Sequence, residues 1–490
     1  MNNRVLSNLG FLLQTAGLLT MLPIGVGFVF NETQQIIPLF LTCIVFLGSG
    51  FLLNALCERK DLDIKSSCLL LLLSFIILPL IGAIPYLYID PFNSANPFDR
   101  FTNSYFESIS GFTTTGFSFI ENTDMLARSM LVFRSTTELM GGIGLVFLIL
   151  AFIQSKGALP KVTGVLGIDN LNRNLRKMFF LVFAIYGIFI GLFIGLFYVA
   201  GFRDVLLTGT FVIDTITGGF APNTQQFQQY VSFVPQVLLI LLMLIGSVNF
   251  AFNYYLLTWM PKTEKDVPIL RRLALFLFEK IKKSFTFEVC LYLAIIAVAS
   301  IVFVFAANIG LMDSIFHVVS MASSTGTSYI NLSALNGNAL SILILIMVIG
   351  GCAFSMAGGI KVSRFVTVGE AIVTNAKMLF SKSARESKKQ TDGSSEPLHD
   401  LVTILLFIVF LLVFAWLFST IGVSFMDALF EMGSAITTTG ASLGITTVTM
   451  PLAYKWLMIA AMTIGRVEIL TIFIALIPTG IKVYKRKRIG

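Results

Sequence analysis

Ten apolar runs, each long enough to cross a bilayer, fill most of this chain, at about 5–30, 35–56, 67–89, 128–153, 178–200, 232–258, 286–309, 338–363, 398–421 and 451–479. A spanning helix needs about 20 predominantly apolar residues, because hydrocarbon offers no partner to an unpaired backbone N–H or C=O. Of the 490 residues, 56% are hydrophobic and only 12% charged. A soluble domain carries about 25% charged residues, so no polar surface can be built here and a soluble enzyme is excluded. The expected fold class is all-α and integral to the membrane, with ten transmembrane helices. Residues 5–30 exceed a signal-peptide core and hold Pro23, Gly25 and Gly27 where a cleavage site would be sought, so they read as a retained helix.

Charge orients these spans. With the N-terminus inside, 28 of the 34 lysines and arginines fall at Arg4, Arg59–Lys65, the loops at 154–177, 259–285 and 361–400, or the tail from Lys482 to Arg488. Basic residues near span ends stay cytoplasmic, so both termini are expected inside. Arg100, Arg128, Arg203 and Lys455 fall in the expected external loops, and Arg134 sits at an outer span end where snorkelling accounts for it. The net charge of +8 on so apolar a chain fits loops facing anionic lipid rather than nucleic acid.

Enzymatic chemistry finds little support. Cys43, Cys57, Cys68, Cys290 and Cys352 show no CxxC spacing, and His317 and His399 are too far apart for a metal cluster. No nucleophile arrangement and no GxxxxGK[ST] motif occurs, so no catalytic residue is expected.

Four external connections carry a moderately apolar segment too short to cross, followed by a Thr/Ser/Gly cluster. They are 98-FDRFTNSYFESISGFTTTGFS-118, 203-RDVLLTGTFVIDTITGGFA-221, 311-LMDSIFHVVSMASSTGTSY-329 and 425-FMDALFEMGSAITTTGASL-443. Aligned on their clusters, Gly116, Gly219, Gly326 and Gly440 fall in register, at intervals of 103, 107 and 114 residues. Each unit reads as span, re-entrant half-helix, glycine cluster, span, which is an internal fourfold repeat. The expected units are 1–62, two additional N-terminal spans, and then pore repeats at 63–157, 158–260, 261–397 and 398–490.

Four such units can close around one axis and bring four glycine loops to one depth. A half-helix entering from outside aims its partially negative C-terminus at the membrane centre, where a cation is stabilised. Glycine then permits left-handed backbone that turns carbonyl oxygens inward, and hydroxyls of the preceding residues add oxygens. The expected filter is Thr114, Thr115 and Gly116; Thr217, Gly218 and Gly219; Ser324, Thr325 and Gly326; and Thr438, Thr439 and Gly440. No carboxylate lies in these clusters, which points to a weakly hydrated monovalent cation. A single such cluster would read more simply as a helix cap or packing site; four in register do not. Glu107 and Glu431 sit nine residues before their glycines, with His317 at the same place in repeat three. They read as polar braces of the half-helix, with ion binding as the alternative.

The four clusters, Gly141-Gly142-Ile143-Gly144, 350-GGCAFSMAGGIKVSR-364 and 464-IGRVEIL-470 resemble the Trk/Ktr/HKT superfamily of potassium transporters. The likeness is to the TrkH-type membrane subunit of bacterial Trk systems, and the two additional N-terminal spans favour that branch over Ktr. The resemblance implies a potassium filter, and Gly116, where sodium-permissive members carry serine, argues for potassium. It further implies a multi-pass protein of the bacterial inner membrane, a homodimer, and a cytosolic ring of TrkA-type nucleotide-binding subunits docked on the basic loops. No covalent cofactor is implied.

Glycines at 350, 351, 358 and 359 break the span at 338–363, since each costs about 1 kcal/mol relative to alanine in a helix. Broken backbone at membrane depth must be buried in protein or line water, which puts Gly350, Gly351, Gly358 and Gly359 beside the ion path. In the family this stretch is a gating loop; Phe354 and Met356 are bulkier than its usual small-residue pattern. Arg466 lies inside an apolar span, where it needs water or a partner. It is expected to face the pore and clamp the loop through carbonyls; a buried pair with Glu468 or Glu138 is the structural alternative. A proton- or sodium-coupled carrier is the functional alternative, disfavoured because carriers commonly use inverted repeats and all four units here run the same way.

Overall fold

The computed structural model describes residues 3–57, 63–120, 122–155, 175–220, 232–258, 285–380 and 396–476, and every α or β element among them is helical. The basic stretches at 156–174, 259–284 and 381–395 and the tail from 477 lie outside the described residues.

A hairpin of α1 (Asn3–Val29) and α2 (Thr33–Leu56) precedes the repeats. Its turn residue Glu32 accepts the Arg128 and Ser129 amides, both at 2.8 Å, placing a carboxylate on a helix N-terminus. Repeat one comprises α3 (Ile64–Gly82), α4 (Ile84–Ile89), the half-helix α5 (Pro97–Phe112) and α6 (Arg128–Ser155). Repeat two has α7 (Leu175–Val199), half-helix α8 (Val205–Thr217), α9 (Phe233–Ser247) and α10 (Phe250–Thr258). Repeat three has α11 (Phe287–Ala307), half-helix α12 (Leu311–Ala322), α13 (Gly337–Ile349) and α14 (Val362–Phe380). Repeat four has α15 (Glu396–Ser419), half-helix α16 (Phe425–Ile436), α17 (Leu452–Val467) and α18 (Ile469–Leu476).

Three expected spans are not straight. The run 232–258 bends by 113° between α9 and α10, and 451–479 bends by 88° between α17 and α18. At the first break Asn249 leaves the helix and its Oδ1 caps the Phe252 amide at 2.8 Å; at the second Glu468 takes φ of 67°. The run 338–363 stops as a helix at Ile349, before the glycines. Among the described residues six helices, Asn3–Val29, Thr33–Leu56, Lys65–Ile89, Phe180–Val199, Phe287–Ala307 and Pro397–Ser419, are long and apolar enough to cross a membrane, or eight if each bent pair is one span.

Capping starts the half-helices as residue chemistry dictates. Asn96 accepts the Asp99 amide at 2.9 Å, Asp204 the Leu207 amide at 3.1 Å and Ser424 the Asp427 amide at 3.1 Å. Each half-helix packs on the first span of its own repeat and on the second span of the repeat before it, α5 on α17, α8 on α6, α12 on α9 and α16 on α13. The contacts therefore run in one cyclic order, head to tail. A Cβ added at Gly141, Gly246 or Gly465 would collide with the carbonyl of Phe112, Ile216 or Ile436, so only glycine lets these second spans run over the ends of their half-helices.

Candidate ion pathway

The four glycine loops meet one another in the same cyclic order. A Cβ on Gly116 would overlap the backbone of Gly219, one on Gly218 the carbonyl of Ser324, one on Gly326 that of Thr439 and one on Gly440 that of Thr115. Each loop thus touches the next and the fourth returns to the first. The twelve residues Thr114, Thr115, Gly116, Thr217, Gly218, Gly219, Ser324, Thr325, Gly326, Thr438, Thr439 and Gly440 are brought together in this ring. The side chains of the seven threonine and serine residues are buried, while Gly116, Gly326 and Gly440 keep partial exposure.

Three loops share one backbone form. The amides of Thr115, Thr325 and Thr439 reach back to the carbonyls of Ser110, Ser320 and Ser434 at 2.9, 2.9 and 2.8 Å. Those of Thr114, Ser324 and Thr438 bond to Gly111, Met321 and Ala435. This is the Schellman termination of a helix, with Thr114, Ser324 and Thr438 at φ of 54°, 59° and 52° where glycine is usual. Left-handed backbone costs a non-glycine residue about 1–2 kcal/mol. The strain is held by a hydroxyl pair in each loop, Thr113–Thr115, Ser323–Thr325 and Thr437–Thr439, at 2.7, 2.8 and 2.8 Å. The glycines then follow at φ of 85°, 70° and 78°.

Repeat two departs from this register. Its half-helix runs through Thr217, the alignment partner of Thr114, and positive φ falls on Gly218 instead of on Thr217 and Gly219. The pair Gly218-Gly219 permits this one-residue difference, and a carboxylate from outside the repeat supports it. Glu138 of α6 accepts the Phe220 amide at 2.5 Å and the Thr217 hydroxyl at 3.3 Å.

Carboxylates also brace repeats one and four, acting on the segment after the glycine rather than on the half-helix. Glu107 accepts from the Ser118 hydroxyl at 2.9 Å and the Phe119 amide at 3.1 Å. Glu431 accepts from Ser442, Leu443 and Thr446 at 2.8, 2.7 and 2.7 Å. His317 instead bonds through Nδ1 to the Asp313 carbonyl oxygen at 2.6 Å, with its ring 4.4 Å from that of Tyr329. Arg134 does not snorkel. It is 2% exposed and pairs with Glu107 at 3.0 Å, because the buried carboxylate behind the first glycine loop needs a countercharge. Lys455 is likewise no external-loop residue: it lies buried in α17 and donates to Asn103 Oδ1 at 2.7 Å and to the Val448 carbonyl at 2.6 Å.

Under the ring, residues 350–361 form an irregular loop with Gly350 and Gly359 at φ of 71° and 79°. Gly351 packs against the Ser247 carbonyl, and Gly358 lies so close to the Thr437 carbonyl that a Cβ would collide with it. The Gly358 amide donates to Ser324 Oγ at 2.9 Å, tying the loop to a residue of the ring. Cys352 and Met356 donate to the Ser247 and Gly246 carbonyls at 2.9 and 3.1 Å, using acceptors that the bend after α9 leaves unpaired. Glu288 accepts the Ala353 amide at 2.6 Å.

Arg466 is 2% exposed and donates to the Met356 carbonyl at 2.9 Å and the Gly141 carbonyl at 3.3 Å. It joins repeats one, three and four. Neither carboxylate offered as an alternative partner takes it: Glu468 pairs with Arg364 at 2.5 Å and Glu138 holds repeat two. Lys361 adds a second cation, donating to the Ala357 carbonyl and to Ser355 Oγ at 3.5 Å. The sequence signal for Lys361 was a lysine closing a glycine-broken apolar run; Glu288 and Lys455 gave none beyond being charged in apolar surroundings.

Comparison with known proteins agrees with this architecture. Residues 34–481 match the TrkH family of cation transport proteins. The chain is 28% identical over 480 residues to an uncharacterized cation transporter of Methanocaldococcus jannaschii, covering 96% of this chain and 94% of that one. It is 24% identical over 494 residues to the Trk system potassium uptake protein TrkH of Halomonas elongata, covering 97% and 98%. Its fold matches the crystal structure of the potassium transporter TrkH from Vibrio parahaemolyticus with a TM-score of 0.74 at 21% identity, over 97% of this chain and 99% of that chain. A family match over most of the chain, on a scaffold of apolar spans, makes this a multi-pass membrane transporter and not an enzyme: the chain belongs to the TrkH family of cation transport proteins.

Proposed function

We propose that the chain takes up potassium through a channel-like pore, built from ten spans and four re-entrant half-helices around one axis. The observation that carries this reading is the closed ring of glycine loops, 116 on 219, 218 on 324, 326 on 439 and 440 on 115, each behind the C-terminus of a buried half-helix. Such ends favour a cation, and a ring of backbone and hydroxyl oxygens replaces the hydration of a monovalent ion. Relatives named as potassium uptake proteins support the choice of ion.

Loop 350–361 is the gate and Arg466 its latch, a positive charge that both opposes cation passage and holds the loop by its carbonyls. The basic cytoplasmic segments dock a TrkA-type regulatory ring, and the membrane subunit works as a homodimer in the bacterial inner membrane with both termini cytoplasmic. The common direction of the four units favours a pore over an inverted-repeat carrier. The test is the reversal potential of the purified chain in a planar bilayer with potassium on one side and sodium on the other. A potential set by potassium supports the filter; a potential near zero sinks it.

A further inference from the structure

The glycine loop of repeat three is held differently from those of repeats one and four. There a carboxylate nine residues before the glycine accepts from the segment after it, Glu107 from Ser118 and Phe119 and Glu431 from Ser442 and Leu443. His317 stands at that place in repeat three, but its Nδ1 bonds to the Asp313 carbonyl oxygen at 2.6 Å and its Nε2 is buried with no partner among the described residues. A ring whose bonded nitrogen turns back along its own helix takes nothing from the segment ahead.

Two other contacts take over. The Ser320 hydroxyl donates to the Thr327 carbonyl at 2.7 Å, whereas Ser110 and Ser434, its counterparts six residues before Gly116 and Gly440, have buried hydroxyls without a partner among the described residues. Tyr329 then stands three residues after Gly326, where repeats one and four have Phe119 and Leu443 with their amides on the carboxylates. Its hydroxyl donates to Asp313 Oδ1 at 2.7 Å and accepts from Gln236 Nε2 at 2.5 Å. Its ring centre lies 4.9 Å from that of Phe316 and 4.4 Å from that of His317.

The two ends of this chain of bonds belong to different repeats. Asp313 lies in the first turn of α12, which begins without the side-chain cap that the other three half-helices have; a carboxylate there suits the helix N-terminus. Gln236 is 4% exposed and comes from α9, the second span of repeat two. It stands ten residues before Gly246, as Lys455 stands ten before Gly465. Lys455 likewise reaches the half-helix of the neighbouring repeat, at Asn103. A buried amide must keep its hydrogen-bond partner, so Gln236 fixes where the Tyr329 hydroxyl sits.

We propose that Tyr329, strung between Gln236 and Asp313, is a positioning residue for ion selection: its hydroxyl holds the segment after Gly326 and keeps the third quadrant of the ring in shape. The proposal rests on the ring being the selectivity filter. Tyr329 acts through the backbone that joins it to Gly326, as Glu107 and Glu431 act through the segments after their own glycines.

The test uses the full chain in lipid, read two ways. Tyr329→Phe keeps the ring against Phe316 and His317 and deletes the hydroxyl. Bi-ionic reversal potentials are expected to show the potassium-over-sodium permeability ratio reduced about threefold or more. Gln236→Leu should reduce it by a smaller factor, since the bond to Asp313 remains, and the double variant should fall no lower than Tyr329→Phe, because both act through one hydroxyl. Hydrogen exchange read by mass spectrometry is expected to quicken at 326–330 in Tyr329→Phe and to stay unchanged after Gly116 and Gly440, which have their own braces. Unchanged selectivity in both single variants, or losses that multiply in the double, overturns the proposal, and Gln236→Leu carries the test if Tyr329→Phe does not fold. Exchange that quickens in all the loops alike makes Tyr329 a general packing residue and also overturns it. A wild type that does not distinguish potassium from sodium removes the filter reading instead, and quickened exchange confined to 326–330 then leaves the hold of Tyr329 on its loop standing.

Discussion

Arg466 Nη1 lies 2.9 Å from the carbonyl oxygen of Met356, so a side chain of the fourth repeat grips the backbone of the loop that interrupts the third. A hydrogen bond from a charged donor contributes about 1.5–3 kcal/mol. Replacing Arg466 by alanine removes it, together with the weaker bond to Gly141 and the buried charge beside the loop. Arg466→Ala is expected to raise ion flux about tenfold or more in the absence of any regulator, measured as rubidium uptake into vesicles. Unchanged or reduced flux in well-folded protein would make Arg466 a structural residue.

Lys361 holds the same loop one residue further on, through Ala357 and Ser355. Lys361→Met keeps the apolar stem and deletes the grip. Flux should rise less than in Arg466→Ala, and the double variant should exceed both, because residues sharing one loop couple. A double variant no more active than Arg466→Ala alone would show that Lys361 does not restrain the gate.

Gly116 takes φ of 85° and has the Gly219 backbone where a Cβ would be. Serine at this position must strain its own backbone by about 1–2 kcal/mol and push the second loop out of the ring. Gly116→Ser is expected to raise sodium permeability relative to potassium, read from bi-ionic reversal potentials. An unaltered permeability ratio would remove Gly116 from the filter.

The Arg134–Glu107 pair is fully enclosed, at 3% and 0% side-chain exposure. Removing one partner of such a pair destabilises by about 3–5 kcal/mol, since the other charge is left bare. Arg134→Met should lower the thermal midpoint in detergent sharply, and adding Glu107→Gln should recover much of the loss. A double variant as unstable as Arg134→Met would assign the loss to packing around Phe220 rather than to charge.

Much of this is legible in the sequence itself. The glycine register and the break at Gly350 both follow from local chemistry: glycine where the chain must turn or approach closely. What escaped was set by neighbours distant in sequence. Arg134 reads as a snorkelling residue until α5 brings Glu107 beside it, and Lys455 reads as a loop residue until Asn103 supplies an acceptor. The shifted form of repeat two was hidden because Gly218-Gly219 aligns well with the other clusters, while the residue that reshapes it, Glu138, lies 79 positions from Thr217. The bends after Ser247 and Val467 were likewise unreadable, because apolar composition says how long a segment is and nothing about whether its axis is straight.

The most direct measurement is radioactive rubidium uptake into sealed vesicles holding only the purified chain, with proton and sodium gradients first set to zero and then imposed. A selective pore gives downhill uptake with no coupling gradient, competed by potassium and not by sodium. Uptake that begins only when a proton or sodium gradient is imposed would contradict it and make the chain a coupled carrier.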